Sequence, residues 1–223
     1  MPRTLLPLIL AAIVTTAAHA QEPRSVGGCD IRRGTLCASM NLSGADFSGA
    51  NLAYSQFSRS ELQGANLSDT TLDEANFSYA QLQGADLSKA RMGRINLRGA
   101  KLNDAKLSGA NLRNANLQNA DLGKADLTDA DLTAADFTNA RLVGTNLRGA
   151  NLQRANLRAT HLHNASFAGA NLRGVDFTNA LLINADLTGA NLDQAIFLHA
   201  QMDGCVGCPK QGQRLAASRR SPA

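Results

Sequence analysis

Every fifth residue from Leu42 through Met202 is Leu, Phe or Met, thirty-three positions in succession with no insertion. All seven Phe of the chain fall on this series: Phe47, Phe57, Phe77, Phe137, Phe167, Phe177 and Phe197. Two residues before each large residue stands a small one, most often Ala, elsewhere Ser, Thr or Val; only Met40 and Ile95 are bulky there. A repeat of this kind sets the meaning of every other residue. Five is neither the 3.6 period of a helix nor the 2 of a flat strand. The small and large residues, two apart, point to one side of an extended segment. Carrying that side forward by five breaks the even–odd alternation, so the chain must turn once per repeat. Bends of one kind wind the backbone into a solenoid, with the small and large apolar residues inside and the other three outside. Gly or Asn often follows two residues after the large one (Gly44, Gly49, Gly64, Asn114, Asn119, Gly149), and both tolerate the positive φ of tight turns.

The unit reads A-(D/N)-L-x-x, as in Ala45-Asp46-Phe47-Ser48-Gly49, Ala115-Asn116-Leu117-Gln118-Asn119 and Ala170-Asn171-Leu172-Arg173-Gly174. It resembles the pentapeptide-repeat family over residues 40–204. The resemblance implies an all-β fold, a right-handed quadrilateral parallel β-helix with four repeats per coil. Thirty-three repeats would then make about eight coils, and at roughly 4.8 Å per coil the rod would be on the order of 40 Å long.

The segment before the repeats begins with Arg3, continues as an apolar run over residues 5–14 and reaches Ala18-His19-Ala20 before a polar Gln21-Glu22-Pro23. A positive start, a short apolar core and an A-x-A site describe a cleavable secretory signal. The run is shorter than the ~20 residues an uncleaved membrane anchor would need. Val26-Gly27-Gly28-Cys29 loosely resembles a lipidation box but stands far beyond the apolar run. The expected organisation is a signal peptide at 1–20, an N-terminal cap at 21–39, the β-helix at 40–204, and a C-terminal cap with a basic tail at 205–223. The expected location is the bacterial periplasm or the exterior, with no integral membrane segment after cleavage.

Exported cysteines are usually bridged, and the four here stand in pairs at opposite ends of the repeats. Bridged Cα atoms lie within ~7 Å, so the intramolecular pairs expected across a rod of that length are Cys29 with Cys37 and Cys205 with Cys208, as staples for the terminal coils. Cys205-Val206-Gly207-Cys208 also has the C-x-x-C spacing of thiol–disulfide exchange sites, although Pro209 and the Gly-containing surroundings do not read as the start of a helix. A structural bridge and a redox-active pair both remain open.

The basic pI does not point to nucleic acid. Residues 41–208 carry 14 Lys and Arg against 16 Asp and Glu, and the surplus comes from Lys210, Arg214, Arg219 and Arg220 in the tail. A nucleic-acid surface would need a basic stripe along the rod. Metal, cofactor-binding and catalytic residues are each expected to be none. His161 and His163 flank the inward Leu162 and point outward, and the repeat sends Asp121, Asp126, Asp131 and Asp136 to four different sides. No nucleophile–base set, phosphate loop or cofactor fingerprint is present, and a filled interior leaves no concave pocket of the kind enzymes need.

These features suggest a non-catalytic, exported scaffold or protein-binding rod that needs no cofactor. Two other readings stay open. The resemblance implies one of them, a DNA mimic that binds gyrase or another topoisomerase, although the near-neutral repeats and the export signal depart from that pattern. The other is a thiol-redox protein acting through Cys205 and Cys208. Outward positions are polar along most of the repeats, but Leu181, Ile183, Ile196 and Leu198 are apolar, with Val143 further down. Clustered exposed apolar groups mark contacts, so this patch is the candidate site for a protein partner or self-association, or for a cover by the tail through Leu215.

Overall fold

Hydrogen-bonded rungs recur every twenty residues. Parallel bridges join Leu36 to Gln56, Asn41 to Glu61, Asp46 to Asn66 and Asn51 to Thr71, and the step repeats to Asp186–Val206. Four repeats therefore close one coil, and each supplies one side of a parallel β-helix. This computed structural model describes residues 25–210; the expected signal at 1–20 and Leu215 in the tail lie outside them.

Each side is one rung wide. The large residue's N–H donates to the next coil (Leu42 N to Glu61 O, 2.7 Å), the facing residue donates back (Glu61 N to Met40 O, 2.9 Å), and a turn bond closes the corner (Ala45 N to Leu42 O, 3.0 Å). Among the described residues, the regular strands are β1 (Ser25–Val26) and β2 (Cys29–Asp30), an antiparallel hairpin ahead of the repeats. The sides contain no longer strands because a corner every five residues leaves no room for an extended run.

The corner residue is left-handed in every repeat, with φ of 67° at Gly44, 62° at Tyr54, 59° at Arg154 and 54° at Ala159. The Gly and Asn pattern was therefore only a partial signal, since Tyr, Arg, Lys, Glu and Ala also occupy the corner. Left-handed backbone costs a residue with a Cβ roughly 1–2 kcal/mol. The conformation persists because the corner N–H is tied to the next coil, as in Tyr54 N to Asp73 O (3.0 Å) and Ala159 N to Thr178 O (2.9 Å).

The large residues from Leu42 to Leu187 are fully buried, and the Ala residues two before them are buried over most of the same stretch. Each such Leu or Phe contributes roughly 1.5–3 kcal/mol. Phe57 stacks on Phe77 with ring centroids 4.7 Å apart, one coil above it on the same side. Most hydroxyls at the small inward positions find backbone carbonyls, as Ser60 Oγ donates to Cys37 O at 2.6 Å and Thr145 Oγ1 to Leu122 O at 2.8 Å, while the buried Ser55 Oγ has no hydrogen-bond partner among the described residues. At Ser60 and Thr145 a buried hydroxyl thus replaces Ala without an unmet donor.

The two ends differ. At the N-terminal end the Cys29–Cys37 disulfide, with Cα atoms 5.5 Å apart, is buried, and the Gly27 backbone sits so close to Leu42 that an added Cβ would lie 2.9 Å from its Cδ2. Cys29 Sγ is bonded to Cys37 Sγ. Rungs start at Leu36, within the segment assigned to the cap. At the C-terminal end the Cys205–Cys208 disulfide, with Cα atoms 5.8 Å apart, is only half-buried, and Leu192, Phe197 and Met202 are half-buried too.

Candidate functional site

The outward Asp and Asn side chains are occupied with the backbone. Asp131 Oδ1 accepts the Thr133 N–H at 3.1 Å and its hydroxyl at 2.6 Å, and Asp136 holds Thr138 in the same way at 3.0 and 2.6 Å. Between coils the amides form ladders: Asn146 Nδ2 donates to Asp126 Oδ1 at 3.1 Å, and Asn171 Nδ2 to Asn151 Oδ1 at 2.9 Å. Partial burial pushes the Asp131 carboxyl up, but the Thr133 hydroxyl and N–H, with Arg113 beside them, outweigh it and hold the group below its ordinary value. Asp131 is therefore kept charged and tied to its own turn. Asp121, Asp126, Asp131 and Asp136 bridge to Arg141, Asn146, Asn151 and Asn156 respectively, which puts them on four different sides.

Other polar clusters are similarly self-satisfied. Where Gly93 has no side chain, a recess of about 250 Å³ opens among Asp73, Glu74, Arg91, Arg94 and Arg113. Arg91 pairs with Asp73 and Arg94 with Glu74, each at 3.5 Å, and Arg113 pairs with Asp131 at 3.1 Å. Exposed pairs of this kind contribute about 0–1 kcal/mol each, and no nucleophile lies among them. The His161 and His163 rings are 6.4 Å apart. Among the described residues, no group of three or more His, Cys, Asp or Glu is placed to hold a metal ion, and no helix is long and apolar enough to cross a membrane.

What stands out is apolar. Ile196 and Leu198 are 48% and 56% exposed. Leu181, Ile183 and Val143 are only half-buried, because residues of the coils above and below lie against them; Leu181, for example, is bridged between His161 and Gln201. The structure therefore shifts the patch from the side of the rod to its C-terminal rim. It also adds Val206, 59% exposed, and the half-buried Leu192, Phe197 and Met202. The periodicity marks Leu192, Phe197 and Met202 as core, although as the last coil among the described residues they have no coil above them, and Val206 is the outward rung residue that follows. Asn191 and Asp193 keep the remaining side polar.

The family model for pentapeptide repeats matches in eight copies, over residues 41–78, 75–114, 110–149, 140–179 and 170–206. No curated protein matches the chain. Among solved structures, the chain is similar to HetL, a pentapeptide repeat protein involved in heterocyst differentiation regulation from the cyanobacterium Nostoc sp. strain PCC 7120. Identity is 31%, over 78% of this chain and 91% of that one, with a TM-score of 0.43. It is similar also to Rfr23 from the cyanobacterium Cyanothece 51142, at 37% identity over 41% of this chain and 63% of that one, with a TM-score of 0.41. QnrB1, a plasmid-mediated fluoroquinolone resistance protein, matches at 20% identity over 79% and 85% of the two chains, with a TM-score of 0.34.

Proposed function

The chain belongs to the pentapeptide-repeat family, and from that premise we propose that it is an exported, non-catalytic rod of about eight coils that serves as a scaffold or protein-binding surface, with the C-terminal end as its contact face. The observation that carries this reading is the exposed pair Ile196 and Leu198 on one side of the last coil, with Val206 across the rim, on a surface where outward groups such as Asp131 and Asn171 are tied to their own turns and neighbours. Apolar groups gathered at one place on a polar surface favour a contact. The DNA-mimic alternative gains nothing from the surface charge, since the repeats hold 14 cationic residues against 16 anionic ones and several arginines are paired with carboxylates.

Two measurements test the two halves of the proposal. An alkaline-phosphatase fusion after residue 208 is expected to be active, with the purified protein beginning at Gln21; inactive fusion and a retained Met1 would remove the export half. A partner captured from periplasmic extract by the wild type is expected to be lost with Ile196→Glu and Leu198→Glu together. Capture that survives this pair would move the contact face elsewhere on the rod.

A further inference from the structure

We propose that the open C-terminal end is the docking site of this chain's own basic segment, residues 211–223. The inference concerns what covers the end of the free chain, and it stands whether or not a partner later displaces the segment.

Charge is segregated at this end. Residues 175–209 contain Asp176, Asp186, Asp193 and Asp203 and no Lys or Arg, whereas residues 210–223 contain Lys210, Arg214, Arg219 and Arg220 and no Asp or Glu. Asp176 is already bonded to Arg158 at 3.0 Å. Asp193 and Asp203 belong to the last coil, are exposed, and form no ion pair among the described residues. Between the cationic residues of the segment stands Leu215, followed by Ala216 and Ala217, an apolar stretch suited to the uncovered Phe197 and Met202.

The segment starts in the right place and is long enough. The Cys205–Cys208 bridge fixes the chain at the end of the rod, with Gly207 against the Leu187 and Thr188 backbone, and Lys210 follows two residues later. Residues 211–223 reach roughly 40 Å when extended, whereas one five-residue side spans at most about 17 Å. The sequence of the segment does not continue the repeat, because Gly207, Gly212, Ala217 and Pro222 stand where it would need large residues. A second copy fits the same face poorly: a symmetric contact would set Asp193 and Asp203 of one end against the same pair of the other.

The backbone supplies a specific readout. In the coils below, the N–H of the large residue donates to the coil above, as in Phe177 N to Ile196 O at 2.8 Å, but the N–H groups of Leu192, Phe197 and Met202 have no such acceptor among the described residues. In the full chain at low salt, docking is expected to slow hydrogen exchange at these three amides. Charge reversal of Arg214, Arg219 and Arg220 to Glu, or Leu215→Glu alone, is expected to speed it about tenfold or more, with Leu42 unaffected. Combining the triple reversal with Asp193→Arg and Asp203→Arg is expected to restore protection, since attraction depends on the product of the charges. Exchange at these amides that is the same in the wild type and in every variant would overturn the proposal. A full chain that sediments as a dimer, and becomes monomeric with Ile196→Glu and Leu198→Glu but not with the arginine reversals, would overturn it in favour of a second copy. Neither result bears on export or on partner capture, so failure here is separable from failure of the proposed function.

Discussion

At the N-terminal end of the rod the hairpin β1–β2 and the buried Cys29–Cys37 bridge lie over Leu42, which is 2% exposed; at the other end Leu192 belongs to the same inward series, on the opposite side of the coil, and it is half-buried beside an exposed Leu198. Both residues are Leu, both are preceded by Asn, and both point inward. The difference in burial lies in what stands above or below them. Burial in a solenoid is supplied by the neighbouring coil, so interior residues have no intrinsic environment, and an end without a cap exposes core. Leu36, 80% exposed at the N-terminal end, is an outward rung residue; the inward residues half-buried near it, Met40, Ala45 and Ala50, are from the small series, whereas at the C-terminal end the large Leu192, Phe197 and Met202 are half-buried as well.

The largest effect expected from this contrast comes from placing a charge at each end of the core. Leu42→Arg buries a cation without a partner, which costs several kcal/mol. Leu192→Arg starts from a half-buried rim position from which the long side chain can turn its guanidinium outward, and it should cost less, about 1–2 kcal/mol. Urea unfolding followed by coil-resolved hydrogen exchange separates the two, because the damage should concentrate at the mutated end. Equal losses would mean that the C-terminal end is as well covered as the N-terminal one.

A smaller effect is expected from the disulfides. Cys29 and Cys37 are both 1% exposed, whereas Cys205 and Cys208 are both half-buried at the rim. Thiol–disulfide exchange requires a thiolate to reach the sulfur along the bond axis, so access governs the rate. Stepwise reduction with a small dithiol, followed by alkylation and peptide mass analysis, should label Cys205 and Cys208 first. The expected consequence is fraying of the last coil alone. First labelling at Cys29 would reverse the comparison. Turnover of a dithiol substrate by the Cys205–Cys208 pair would instead favour the redox reading.

The contrast also marks what the sequence could convey. The inward series was legible because its period is unbroken, and each member from Phe47 to Leu187 is in the core. The turn role of Asp131 and Asp136 was legible too, since short polar side chains reach the N–H two residues on. Periodicity, however, describes a residue's direction and not its cover. Met202 and Leu102 are indistinguishable by direction, yet one is half-buried and the other fully buried. For the same reason Leu181 and Ile183 read as exposed: one dimension of sequence shows that they point outward but not how closely adjacent coils crowd them. The left-handed corners were only half legible, because Gly64 announces such a backbone and Arg59 does not, although φ is 64° and 59° there.

The smallest effect provides the control for all of these. Ser39 and His199 are corner residues near opposite ends, with φ of 58° and 57°, and both are exposed. Glycine removes the roughly 1–2 kcal/mol cost of left-handed backbone but gives back about 0.5–1 kcal/mol through the greater freedom of the unfolded chain. Ser39→Gly and His199→Gly are thus each expected to stabilise their own end by a few tenths of a kcal/mol up to about 1 kcal/mol. The two gains should match, read as slower exchange of the Ser39 N–H, which donates to Ser58 O at 2.9 Å, and of the Asn179 N–H, which donates to Leu198 O at 2.9 Å. Matching gains would show that the ends share one backbone conformation and differ only in cover. A gain confined to Ser39→Gly would mean that the C-terminal corner is not held in the left-handed region in solution, and the contrast between the ends would then extend from side-chain burial to the backbone itself.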